Sequence, residues 1–598
     1  MVSPVYEKLY KIAGSLIRRH WRKFLRLRQR VQPSEETINF ILAGGVGFFC
    51  GIANLLYHLA LEATTYLFWG VADDPATLAE QTEPYRRFAV LTIGATVAGL
   101  TLHFGLRLIK RSLTTNILEI VVAGDGRLPL RRGLINTVAS WISLSSGASI
   151  GREGSVVLLS ATLASKFGQL LKLQPYQLRL LVGCGAGGGI AAAFNAPISG
   201  AVFAATIILG TFSMHVFAPL VLTSVIAAIV SRSFFGIQPW YQVPGFEIMH
   251  LSQLPWFILV GVGAGIIGAI FLKALEVSES IFGRLNWPIW AKLLIAGVAM
   301  GVIAIYVPGI CGNGYKVTNK LLTTPSTDIL LTSVFILLVS KMIATAVAVG
   351  AGTVGGVFTP TLFIGAALGT ILGLVLKHFG HAEPIPLSAF GLVGMGGALA
   401  ATTHAPLFAM IMIFEISLNY SLMPALMVGC VIAVWVSRKL HPFSVYLAPL
   451  KRRGIPIESG QPDQVSPHRQ TVGDLMRAPV PPIPETASLT EIAQRFLSTS
   501  HSYLPVINTN HQLIGIVALD DLRAFLNQET NLPVIAYDVM RPPPPLITPS
   551  QNLADVLPIV LASDMRHFPV VNNALERKLV GSLARADVVA AATELLSG

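Results

Sequence analysis

This sequence is short of charge. Asp, Glu, Lys and Arg make up 12% of the 598 residues, against 53% hydrophobic residues and a mean hydropathy of +0.64. A soluble multidomain protein of this size cannot solvate its surface with so few ionised groups, so the composition indicates a polytopic helical membrane protein. Cysteine is scarcer still: Cys50, Cys184, Cys311 and Cys430 are widely spaced, and all but Cys311 sit inside apolar runs. That spacing excludes a metal or redox motif and leaves the role of small buried side chains. None of the 13 histidines stands in an HExxH pattern, which excludes a zinc-dependent intramembrane protease. Acidic residues within the apolar tracts are few, and Glu119, Glu153 and Glu415 lie far apart in the chain. The clustered oxygen ligands of a divalent-cation transporter are therefore missing.

The charges that are present are unevenly placed. Nine cations between Lys8 and Arg30 face a single acid, Glu7, a bias that keeps a segment beside a membrane span on the cytoplasmic side. Trp21, Phe24, Leu25 and Leu27 interleave with them, as in an amphipathic helix lying on a lipid surface. A nucleic-acid arm is the other reading of such a run, disfavoured because the next segment is a membrane span. No cleavable signal peptide is expected, since the basic stretch and the apolar segment after it are both too long. Apolar stretches then follow one another from Ile38 to Val436. Several are shorter than the roughly 20 helical residues that cross a bilayer core, so short, tilted or re-entrant helices are expected.

In the middle of this tract stands Gly151-Arg152-Glu153-Gly154-Ser155, the end of a glycine- and serine-rich run that begins at Ser143. The run predicts a broken helix, which survives at membrane depth only where protein or a water-filled cavity satisfies its backbone. Free N–H groups at a helix N-terminus attract anions, and intramembrane carboxylates ordinarily line a path for ions or protons. Glu153 is thus the first functional candidate, with a structural Arg152–Glu153 pair as the alternative. An internal repeat supports the reading. GGGIAAAFNAP at 187–197 resembles GGALAATTHAP at 396–406, and the break at Gly151 has a counterpart in Gly355-Gly356-Val357-Phe358-Thr359-Pro360. Interrupted helices at matching places in two halves point to a transport site between the halves.

The composition changes after Lys451-Arg452-Arg453. The expected organisation is a basic segment (1–34), a membrane domain (35–450) of two inverted repeats (about 35–235 and 250–450), a linker (451–470) and two similar α/β units (471–528 and 534–598). LPVIN and GIVAL in the first unit match FPVVN and VGSLA in the second, short strands alternating with amphipathic helices. These units resemble a tandem pair of CBS domains, which associate side by side and often bind adenine nucleotides. Asp521 and Asp587 stand where such pairs meet ribose hydroxyls, whereas the phosphate-binding hydroxyl positions hold Ala518 and Ala584. An adenine nucleotide is a candidate ligand, and a purely structural dimerising module is the alternative.

The membrane half resembles the CLC family of chloride channels and chloride/proton antiporters over roughly residues 35–450. GREGS (151–155), GVFTP (356–360), AAFNAPISGAVF (192–203) and Ser444-Val445-Tyr446 carry the likeness. It implies an all-α fold of broken and re-entrant helices, with the N-terminus and the CBS pair cytoplasmic. It also implies a homodimer in the membrane lipid with one anion pore per subunit, no catalytic residue, no metal and no required cofactor. Glu153 would be the gate. Chloride or a similar small anion would be held by the backbone amides of Val357 and Phe358 and the phenol of Tyr446, with Arg152 and Gly154 beside them. Thr115, within TTNILE (114–119), would stand in for the family's central-site serine. One departure bears on mechanism: Ile207 occupies the place of the antiporters' internal proton glutamate, and an isoleucine cannot carry a proton. This favours a passive voltage- or pH-gated channel, with an exchanger using another internal proton path as the alternative.

Overall fold

Backbone polar groups in a bilayer must be satisfied within their own segment, and long apolar runs therefore fold as helices. The computed structural model describes residues 35–109, 116–452, 471–498, 503–518 and 534–588, except 123, 237–240, 242, 244–252, 326–327, 381–384, 562, 564, 566, 574 and 586. The basic segment 1–34, Thr115, most of the linker and Asp521 lie outside the described residues. The chain divides into two units, Met1–Ser459 and Gly460–Gly598.

Nine helices among the described residues of the first unit are long and apolar enough to cross a membrane, and Pro197–Leu209, Leu387–Thr403 and Pro406–Ser417 are shorter apolar segments. Pro175–Phe194 and Leu387–Thr403, the two glycine- and alanine-rich copies of the repeat, are buried almost all round. Their small side chains let neighbouring backbones approach closely. Helix Leu254–Arg284 runs well past Ala274, where its apolar sequence stops. The continuation buries Leu275 and Phe282 in the core and is tied by Lys273–Glu276 at 2.7 Å and by Arg452 on Glu279.

The repeat is visible at the level of single dihedral angles. Helices Leu130–Ser145 and Leu331–Gly350 both end on a left-handed glycine, Gly147 (φ 101°) and Gly352 (φ 97°). Each end is closed by the same long-reach bond, Ala148 N–H to Ser143 O (2.9 Å) and Thr353 N–H to Ala348 O (3.1 Å). Asn195 (φ 57°) and His404 (φ 58°) are matching left-handed caps, followed by Ala196 and Ala405 in one shared conformation (ψ 79° and 80°) and by prolines that start new helices. A feature not expected from sequence is the π-helical turn Ala204–Leu209.

In the second unit, Ile483–Pro484, Tyr503–Ile507 and Leu513–Ala518 form one sheet, the first pair parallel and the second antiparallel. His567–Val571 and Leu579–Ala584 form the equivalent antiparallel hairpin, so LPVI, GIVA, FPVV and VGSLA lie in strands as expected. The segment preceding each hairpin unit pairs with the other unit's last strand: Arg477 bridges Ser582, and Arg541 bridges Ile516.

Candidate anion-transport site

Helix Glu153–Leu170 of the first half and helix Phe358–His378 of the second begin beside each other. Their leading glycines bring them together. Gly151 and Gly356 exchange two backbone hydrogen bonds, at 2.6 and 2.8 Å, across an isolated antiparallel bridge. A side chain here would not fit: a Cβ on Gly151 or Gly356 would collide with the Glu153 carboxylate, and one on Gly154 would come within 2.7 Å of the Gly356 nitrogen. Gly154 thus serves close backbone approach at this crossing.

Glu153 is 2% exposed. Its Oε1 accepts the Thr359 N–H at 3.0 Å and its Oε2 accepts the Thr359 hydroxyl at 2.8 Å. The carboxylate of one half therefore caps the helix that starts at Phe358 in the other, at the positive end of its dipole. Arg152 turns elsewhere, its Nη2 donating to the Ala193 carbonyl at 2.9 Å. Thr359 was not among the residues singled out from sequence, although it lies inside GVFTP. Val357 caps the helix and Phe358 is its first residue, and both stand at the amide cluster that the carboxylate approaches. Ser155, third in its helix, donates to Ser140, which also meets Tyr57 at 3.3 Å.

Aromatic rings connect this point to Tyr446. Phe194, Phe358, Phe408, Phe203 and Tyr446 succeed one another with centroid separations of 5.0, 5.8, 5.3 and 6.0 Å. Such walls exclude water while offering positively polarised ring edges. The Tyr446 phenol has no hydrogen-bond partner among the described residues.

Asn116 caps the short helix Ile117–Val122, accepting the Leu118 and Glu119 amides at 3.0 and 3.3 Å. Ile207 sits in the π-helical turn, 6% exposed within the apolar core. Glu415 has three donors: the Ile198 amide at 2.9 Å, the Ser199 amide at 2.7 Å and the Ser199 hydroxyl at 2.5 Å. It caps helix Pro197–Phe203 across the repeat. In the second unit Asp587 accepts both contacts of a forked pair from Arg477, at 2.8 and 2.6 Å. A ribose reaching Asp587 would have to share it with that guanidinium.

Nine membrane-length helices among the described residues, a twofold repeat of broken helices and a carboxylate seated on the head of a helix define a polytopic membrane transport protein. A family model described as voltage gated chloride channel matches residues 93–438, and the CBS domain matches residues 472–528 and 536–594. A Ralstonia nicotianae protein named ClcB-like is 37% identical over 416 residues, covering 69% of this chain and 96% of its own. The Escherichia coli voltage-gated ClC-type chloride channel ClcB is 33% identical over 415 residues, covering 68% and 97%. Among solved structures, a slow cyanobacterial Cl−/H+ antiporter superposes with a TM-score of 0.60 at 23% identity, over 69% of this chain and 97% of its own. A eukaryotic CLC transporter gives 0.60 at 17% identity, over 92% and 97%. The chain belongs to the CLC family and carries a C-terminal pair of CBS domains.

Proposed function

We propose that this protein conducts chloride or a similar small monovalent anion across the membrane, as a homodimer with one pore per subunit, and that Glu153 gates each pore. The observation that carries the reading is the seat of the Glu153 carboxylate on the Thr359 amide and hydroxyl at the head of helix Phe358–His378. Those donors suit an anion equally well, so a carboxylate on them and a chloride on them are alternatives: when Glu153 leaves or is protonated, the anion takes its place. The site offers neutral donors with no countercharge on them, the balance that lets a dehydrated anion enter and leave. Below the gate the ring-lined route leads to the Tyr446 phenol, which donates to the anion. Val357 and Phe358 contribute amides, and Thr115 a hydroxyl.

The apolar burial of Ile207 supports a passive channel over a coupled exchanger. Reversal potentials of the full chain in proteoliposomes or planar bilayers, under a chloride gradient with and without an opposing pH gradient, test this. A chloride Nernst potential indifferent to pH is expected. A reversal displaced by the pH gradient would establish chloride/proton exchange, with protons reaching Glu153 by a route that avoids Ile207. The basic N-terminal segment and the CBS pair are assigned to the cytoplasm, where the pair regulates the pore. Adenine nucleotide is the candidate effector, in competition with the Arg477–Asp587 pair.

A further inference from the structure

Glu153 and Ser155 stand in the first turn of helix Glu153–Leu170, about 200° apart around its axis. They therefore face opposite neighbours. Glu153 and Gly154 meet the second half at Thr359 and Gly356. The Ser155 hydroxyl instead donates to Ser140 Oγ, which also meets the Tyr57 phenol at 3.3 Å. Ser140 belongs to helix Leu130–Ser145 and Tyr57 to helix Glu35–Trp69, so the three hydroxyls tie three helices together directly behind the gate. All three residues are 1% exposed or less. Tyr57 shares an apolar core with Val156 and Val157, and its ring lies edge-on to Trp141 at 5.9 Å. Hydroxyls buried in such a core are costly unless they satisfy one another, and a satisfied network rigidifies what it joins.

We propose that Ser155, through Ser140 and Tyr57, is a positioning residue of the gate: the junction holds the head of helix Glu153–Leu170 where the Glu153 carboxylate reaches both Thr359 donors. The proposal rests on the anion-transport reading and deepens it. Hydroxyls suit the task because they fix the backbone without adding a charge beside the seat. With the junction intact, the carboxylate leaves by turning its own side chain about a fixed helix head. With the junction cut, the head is held on the gate side alone, and the carboxylate meets Thr359 less squarely. A carboxylate that loses hydrogen bonds to its charged form takes up a proton more readily, so opening by protonation moves to higher pH. The other titratable groups around the carboxylate leave that range clear. Arg152 stays charged and donates to the Ala193 carbonyl. Tyr57, Tyr241 and Tyr446 carry phenols, which titrate at about pH 10 in water.

The test is the pH profile of chloride flux from proteoliposomes holding the full chain. Ser155→Ala should move the half-activation point upward by about half a pH unit, the size of one neutral hydrogen bond. Tyr57→Phe, which keeps the ring and removes only the O–H, should move it the same way by less, and Ser155→Thr, which keeps a hydroxyl, should restore it. In a Glu153→Gln background, Ser155→Ala should change flux by less than about twofold, because the residue acts through the carboxylate. A lowered melting temperature with an unmoved half-activation point would make the junction merely structural. An equal effect of Ser155→Ala with and without Glu153 would mean that it acts on the anion route directly. Either result overturns the proposal alone. Wild-type protein that carries no anion, or whose flux ignores pH, would overturn the gate reading beneath it.

Discussion

Glutamine at position 153 keeps the shape of the glutamate and removes its charge. If the carboxylate competes with chloride for the Thr359 donors, Glu153→Gln should leave the anion route open at every pH, and radiochloride efflux should lose its dependence on external pH. Efflux that still responds to pH as in the wild type would place the titrating group elsewhere. Thr359→Val separates the two contacts, because it deletes the 2.8 Å hydroxyl bond to Oε2 and leaves the 3.0 Å amide bond to Oε1. A hydrogen bond to a charged acceptor is worth about 1.5–3 kcal/mol, so the closed state should lose roughly tenfold or more in weight. Open probability in planar bilayers at fixed voltage reads that shift directly, and an unaltered open probability would remove Thr359 from the gate.

Elements hold these residues through a few polar ties inside an apolar mass. Lys341, in the middle of helix Leu331–Gly350, is fully buried and donates to the Ile310 and Gly312 carbonyls, both at 2.8 Å, with the Phe363 ring 5.5 Å from its Nζ. It ties that helix to the Pro308–Ile310 turn and to the loop after it. Lys341→Met preserves the volume and orphans two carbonyls, so it should cost about 1–3 kcal/mol per unsatisfied group and lower the melting temperature in detergent. A melting temperature equal to wild type would mean that water takes over the two acceptors. At this scale the sequence was only partly legible. The break before Glu153 was readable because glycine and serine crowd into Ser143–Ser155, and the two Ala-Pro caps were readable because their residues repeat. Thr359 as the partner of Glu153 was not, since donor and acceptor lie 206 residues apart and nothing in the window around Thr359 marks it as the donor. Nor was the capping role of Glu415, whose donors sit 216 and 217 residues away. The end of helix Leu254–Arg284 escaped because Glu276, Ser278 and Glu279 lower the hydropathy between Leu275 and Phe282, the two side chains that it buries.

For the whole molecule, the division into Met1–Ser459 and Gly460–Gly598 places Glu153, Thr359 and Tyr446 in one unit. Removing residues 460–598 should therefore leave chloride flux that Glu153→Gln still deregulates, while abolishing any response to added adenine nucleotide. Loss of flux from truncated protein that remains dimeric and monodisperse would make the CBS pair part of the conducting structure. The second unit is itself interlocked, each half lending Arg477 or Arg541 to the other's last strand, so half a pair is not a smaller version of the whole.

The bridge between Gly151 and Gly356 also sets a condition on biosynthesis. A ribosome that has delivered the first repeat to the membrane has delivered Glu153 without Thr359, and the carboxylate must wait for about 200 more residues before its donors exist. Until then it is a polar group without its native donors inside a half-built protein, and burying it in that state is costly. Closing that contact is consequently a late event in the making of the chain, and the seat of Glu153 on Thr359 distinguishes a finished subunit from an unfinished one.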